Sequence, residues 1–260
     1  MNSDLSGRTI VITGGSAGIG LATAGLFLKS GANVAICGRD DARLEAAAGE
    51  LGEDRLFTMT CDVLDKDQVA AFADAVAERF GGVDTLVNNA GQARLSVFAD
   101  TDDEAWREEL ELKFFSIIHP SRAFKPHLEK SGTGAIVCVS SLISRQPEPH
   151  LVATSAARAG QLSLVHSMAG EFAPEIRINS ILIGVVDSGQ WRRRFEADPS
   201  LGDDYEEWMR AISKEKGIPL GRFGTPEEAA NAIIFLGTPA SSYTTGSTID
   251  ISGGYSRHVG

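Results

Sequence analysis

Apolar and polar positions along this chain follow two rhythms. Short β-branched or apolar runs predict strands at Thr9–Thr13, Asn33–Cys37, Leu56–Thr60, Thr85–Val87, Ala135–Val139, Ile176–Ile183 and Ser247–Ile251. Between them, helical spacing predicts helices at Gly18–Leu28, Asp41–Leu51, Lys66–Phe80, Asp103–Leu128, Thr154–Phe172 and Glu227–Leu236. In the third of these, Val69, Phe72, Ala73 and Val76 share one face. Pro120 and Pro126 predict a bend in the long fourth helix. Pro226 suits a first helical position with Thr225 as its cap. Strands separated by helices of this length build βαβ units. The expected fold is therefore α/β and Rossmann-like, doubly wound, with a parallel sheet of about seven strands flanked by helices. No linker divides the chain, so residues 1–260 read as one domain.

One stretch breaks the rhythm. Residues 187–220 offer no good strand and carry Trp191, Tyr205 and Trp208 among charged neighbours. This predicts one or two short helices inserted between the sixth strand and the last helix. An insertion there covers the crevice at the carboxyl ends of the strands as a substrate lid; a subunit contact is the alternative.

The first βα junction reads Thr13-Gly14-Gly15-Ser16-Ala17-Gly18-Ile19-Gly20. Glycines there permit a tight turn and let backbone N–H groups approach a pyrophosphate, while the following helix points its positive end at the anion. At the end of the second strand an acidic residue would bind the ribose hydroxyls of NAD. This chain has Gly38-Arg39 instead. A guanidinium can fork onto a 2′-phosphate and stack on adenine, so the expected cofactor is NADP(H). The competing reading of Arg39 is a solvated side chain paired with Asp40 or Asp41.

The net charge of −11 repels a phosphate backbone and excludes nucleic acid as a main partner. No apolar run reaches the ~18–20 residues that span a bilayer. The opening residues, MNSDLSGRT, lack the apolar stretch of a signal peptide. Cys37, Cys61 and Cys138 lie far apart in or beside strand-like runs, which predicts buried free thiols and a cytoplasmic setting. No His, Cys and Asp cluster has metal-ligand spacing, so no metal is expected.

The run TGGSAGIG resembles the signature of the short-chain dehydrogenase/reductase family, and the resemblance covers the whole chain. Asn88-Asn89-Ala90-Gly91 matches that family's segment after the fourth strand, and Asp62 its aspartate against adenine. Ile183-Gly184-Val185-Val186-Asp187-Ser188 takes the place of its Pro-Gly segment beside the nicotinamide, with Ile183 in place of the usual proline. Gly253-Gly254 also fits. The resemblance implies cofactor contacts along Gly14, Ser16, Gly18, Ile19 and Gly20, at Asp62 and Val63, and at Asn89, Ala90 and Gly91. It implies others at Arg158 and at Gly184, Val186 and Ser188. It also implies a homotetramer or homodimer, with Tyr243–Tyr255 near the subunit packing.

The catalytic set of the family is a serine, a tyrosine thirteen residues on, a lysine four further, and an asparagine on the preceding long helix. Here the matching positions hold Ser141, Thr154, Arg158 and Lys113. A threonine hydroxyl does not ionise near neutrality and cannot replace a phenol as general acid. Arginine holds its proton, but lysine can release one, and a guanidinium nearby disfavours its charged form. The expected roles follow. Lys113 donates or accepts the proton, Ser141 and Thr154 orient the substrate oxygen, and Arg158 anchors ribose and polarises the site. His150, four residues before Thr154, is the second proton-transfer candidate; His119, His127, His166 and His258 have no comparable placement. Arg192-Arg193-Arg194 is a solvated helix face or a site for an acidic substrate. The expected function is an NADP(H)-dependent oxidoreductase acting on a carbonyl or alcohol. Alternatives are a non-catalytic NADP(H) sensor or partner protein, and a lyase or isomerase on the same fold.

Overall fold

Alternate residues of each strand serve opposite faces of one sheet. The computed structural model describes residues 4–257, and His258 lies outside them. The strands are β1 (Thr9–Thr13), β2 (Asn33–Gly38), β3 (Leu56–Thr60), β4 (Thr85–Asn88), β5 (Gly134–Ser141), β6 (Ile176–Ile183) and β7 (Thr248–Ile251). All pairings are parallel, in the order β3-β2-β1-β4-β5-β6-β7. The order reverses between β1 and β4, which opens a crevice at their carboxyl ends.

On one face, Val11, Ala35, Leu86, Ile136 and Ile178 pack against three helices: α3 (Lys66–Phe80), α4 (Asp103–Lys130) and α5 (Val152–Phe172). Phe72 of α3 meets Phe124 of α4 edge to face at 5.8 Å. On the other face, Ile10, Ile12, Ile36, Val137 and Ile181 pack against α1 (Gly18–Lys29), α2 (Asp41–Leu51) and α8 (Pro226–Gly237). Each fully buried aliphatic or aromatic side chain contributes about 1.5–3 kcal/mol. These two apolar layers fix the strand register, because a one-residue slip would turn each set outward. Thr225 and Glu228 close a capping box at the start of α8, with Pro226 in its first turn.

Several expectations shift in detail. β5 runs through Ser141, and α5 begins at Val152, two residues before the expected start. α4 extends to Lys130, two residues past its expected end, with Pro120 and Pro126 inside it. Residues 187–220 form α6 (Gly189–Glu196) and α7 (Tyr205–Lys216). Their aromatic faces build a third small core, in which Trp208 sits 5.9 Å from Trp191 and 5.8 Å from Tyr205. Cys37, Cys61 and Cys138 are buried and form no disulfide. Among the described residues no helix is long and apolar enough to cross a membrane.

Candidate active site

Glycine at the β1–α1 junction is required by space. A Cβ on Gly20 would stand 2.3 Å from the Gly14 carbonyl oxygen and 2.6 Å from Asn89 Nδ2. Gly14 and Gly18 have φ of +65° and +54°, which disfavours side chains. Asn89 Nδ2 donates to the carbonyls of Thr13 and Gly14, each at 3.0 Å, and so fixes the loop. The backbone N–H groups of Asn89 and Ala90 both donate to Thr13 Oγ1, at 3.1 Å each. Asn89 therefore spends its side-chain amide on the loop, a role the sequence reading did not assign. Ala17 precedes Gly18 at the α1 N-terminus and no side chain caps it, so the first turn keeps its N–H groups for an anion. Ile19 belongs to that turn.

Arg39 is exposed just past the end of β2 and has no ion-pair or hydrogen-bond partner among the described residues. Asp40 instead caps α2 and lies 3.3 Å from Arg43 Nε, while Asp41 accepts from Thr60 Oγ1 at 3.0 Å. Ser16 Oγ lies 3.3 Å from where a Cβ on Gly38 would stand, which puts this hydroxyl beside the residue that precedes Arg39. An uncapped helix end, a free guanidinium and a nearby hydroxyl fit the pyrophosphate and 2′-phosphate of NADP(H). Past β3, Asp62 accepts from Leu64 N at 3.0 Å, and the buried Val63 has its carbonyl 3.1 Å from His119 Nδ1.

The substituted catalytic positions converge on a buried cluster between α4 and α5. Lys113 is 1% exposed, Glu109 2% and Thr154 1%. Lys113 Nζ lies 2.6 Å from Glu109 Oε1 and donates to the Gln92 carbonyl at 2.7 Å. Thr154 Oγ1 donates to the same Glu109 oxygen at 2.6 Å. Thr154 and Lys113, expected to orient the substrate oxygen and to move its proton, are equally buried and both engaged by Glu109. Burial lowers the Lys113 ammonium from its usual range to about 8; Arg158 and Arg94 push the same way, and Glu109 pulls upward. Burial is thus the first cause, ahead of the Arg158 charge named from sequence.

Arg158 Nη1 donates to the Val139 carbonyl at 2.8 Å and to Gln161 Oε1 at 3.1 Å. Its Nε is buried without a partner, and its Nη2 makes no hydrogen bond among the described residues. Arg158 Nη2 lies 3.7 Å from where a Cβ on Gly91 would stand, so the guanidinium reaches the Asn89-Ala90-Gly91 segment. Free N–H groups at this place fit a ribose. Burial brings Arg158 down to about 10, which leaves it charged at neutral pH. Ser141 ends β5 and is half-buried, its Oγ donating to the Ile183 carbonyl at 3.2 Å.

On the far side, Gly184 N donates to the Ile251 carbonyl at 2.9 Å, and a Cβ there would crowd Ser252 at 2.9 Å. Val186 bridges to Gly224, and Ser188 caps α6 without a side-chain bond. His150 is exposed, with Nδ1 3.9 Å from Glu148 Oε2. Arg192 stacks over Tyr205 at 4.2 Å and Arg194 over Trp191 at 5.5 Å. Glu109 is the residue the sequence reading missed. Its signal was helical: it lies one turn before Lys113 on the stripe that continues through Ile117, Phe124 and Leu128.

Residues 14–256 match the family described as enoyl-(acyl carrier protein) reductase. A short-chain oxidoreductase from Pseudomonas aeruginosa PAO1, described as containing an atypical catalytic center, is 59% identical. Its apo structure superposes with a TM-score of 0.95 over 98% of this chain and 100% of that one. It is also known in an NADPH-bound structure, with TM-score 0.95. L-Sorbose reductase from Gluconobacter frateurii, solved with NADPH and L-sorbose, is 31% identical with TM-score 0.93, covering 100% of both chains. A 3-oxoacyl-[acyl-carrier-protein] reductase from Chlamydia muridarum is 34% identical over 98% of this chain and 99% of its own length.

Proposed function

The chain belongs to the short-chain dehydrogenase/reductase family, and we propose that it is an NADP(H)-dependent oxidoreductase of carbonyl and alcohol substrates with Lys113 as its proton donor and acceptor. The observation that carries this reading is a lysine with its ammonium buried beside Arg158 and brought to about 8. A general acid works best with a pKa near the working pH. Arg39 and Ser16 hold the 2′-phosphate, and the α1 N-terminus holds the pyrophosphate. Arg158 anchors the ribose. NADP(H), when bound, supplies or takes the hydride at the substrate carbon. Ser141 holds the substrate oxygen. Lys113 Nζ gives that oxygen a proton in reduction and takes it back in oxidation. Arg158 keeps its proton throughout and polarises the site.

Helices α6 and α7 are the substrate lid, held as one body by their aromatic core. A homotetramer or homodimer belongs to the same proposal; the fully exposed Tyr243 suits a subunit contact. The relatives supply the first substrates to try, ketoses such as L-sorbose and 3-oxoacyl thioesters. Consumption of NADPH is followed by absorbance for wild type and Lys113→Met. The variant should lose about 10²–10⁴-fold in kcat while binding NADPH largely as before. Full activity in Lys113→Met overturns the assignment.

A further inference from the structure

We propose that Glu109 is a positioning residue that keeps Lys113 protonated and ties it, through Thr154, to the helix carrying Arg158. This rests on the reading of Lys113 as the proton donor. The geometry is specific. One carboxylate oxygen, Glu109 Oε1, lies 2.6 Å from Lys113 Nζ and 2.6 Å from Thr154 Oγ1. The first contact stays within α4; the second crosses to α5. Thr154 thus takes a new use at a position where its hydroxyl cannot serve as an acid.

The surroundings explain why a carboxylate is needed. Lys113 faces Glu109 on its own helix, Thr154 and Arg158 from α5, and the Gln92 carbonyl and Arg94 from the loop after β4. Arg94 is itself paired with Glu108, at 2.5 Å. Lys113 and Arg158 leave two positive charges together, and Glu109 is the negative charge buried with them. Without it, burial, Arg158 and Arg94 act on the ammonium with only the Gln92 carbonyl against them, and lysine is the group able to yield. A neutral amine at the start of reduction has no proton to give. In the step itself a Lys113 N–H bond breaks and an O–H bond forms on the substrate oxygen, leaving a neutral amine. Glu109 neither gives nor takes that proton; it sets how readily Lys113 starts with it.

The test reads Lys113 directly and needs no substrate. Protein labelled with ¹⁵N-lysine is saturated with NADPH and titrated by NMR, with the signal assigned through Lys113→Arg. The chain has seven lysines, so the spectrum is small. Glu109→Gln preserves shape and removes the charge; it should lower the Lys113 pKa by about 1–3 pH units. Glu109→Asp retracts the carboxylate by one methylene and should move it the same way by less, and it carries the test if Glu109→Gln fails to fold. An unmoved Lys113 pKa in either folded variant overturns the proposal. Failure of the wider reading has a separate signature: a shifted pKa in Glu109→Gln together with full turnover in Lys113→Met.

Discussion

Removing one member of a buried ion pair is costly, and removing both is not. Lys113 and Glu109 are almost wholly buried and 2.6 Å apart. Lys113→Met leaves the Glu109 charge without its contacting counter-ion, with the Thr154 hydroxyl and the charge of Arg158 left to hold it. Such a change costs about 3–5 kcal/mol. For a chain of this size each kcal/mol lowers Tm by roughly 2–4 °C, so the variant should melt about 6–20 °C lower. The double variant Lys113→Met/Glu109→Gln removes both charges and keeps the volume. It should regain about 2–3 kcal/mol over the single change, the size of coupling seen between contacting residues. Urea unfolding followed by circular dichroism measures the cycle, with NADPH titration confirming the folded state. Activity then separates two meanings of Lys113: the double variant should be stable and still inactive. A single-variant cost under about 1 kcal/mol, the range of an exposed pair, with no recovery in the double, would refute the reasoning. It would mean that water reaches the pair.

Arg39→Ala should weaken NADPH binding about 10- to 150-fold, the loss of a charge-assisted bond of about 1.5–3 kcal/mol, and weaken NADH binding far less, since NADH lacks the 2′-phosphate; fluorescence titration with both nucleotides decides it. Gly20→Ala forces a Cβ to within 2.3 Å of the Gly14 carbonyl, so NADPH binding should be lost in that titration, and retained affinity would show that the loop is not held as described. The pH dependence has a fixed sign. Lys113 is protonated below about 8 and neutral above it, so carbonyl reduction should be full below that pH and fall as pH rises through it. Alcohol oxidation should rise over the same interval, and two rate profiles that both rise with pH would exclude Lys113 as the acid.

The fold was legible because both rhythms of the pattern are strong here. Ile10 and Ile12 face one layer and Val11 the other, so β1 reads as a buried strand from its own residues. The tight turn at the junction glycines was legible for the same local reason, since its glycines are visible in sequence. The long helix was less legible where it mattered. Glu108, Glu109, Glu111 and Lys113 look like a solvated face, and Leu110 looks like core. The structure inverts this: Leu110 is exposed, while Glu109 and Lys113 are buried. Only the phase of the stripe set by Ile117, Phe124 and Leu128 gives the right answer, because a helix buries positions and not residue types. The position of Lys113 was found through its match to a motif. Its partner sits one turn earlier, where no motif points.

The replaced residues make sense as one electrostatic change. A phenol beside a lysine puts the titrating group and its cationic neighbour on the same helix. In this chain α5 keeps a hydroxyl that does not ionise near neutrality and a cation that does not let go of its proton. On the proposed reading the titrating group is Lys113 of α4. Placing it there introduces a second positive charge beside Arg158, and burial together with that charge favours the neutral form of Lys113. A carboxylate within reach of both the lysine and the threonine answers both problems, holding the ammonium and occupying the hydroxyl. The three substitutions and Glu109 therefore depend on one another. Restoring a single family residue should not restore family behaviour: Thr154→Tyr would put a phenol at a buried position whose hydroxyl is already bonded to Glu109.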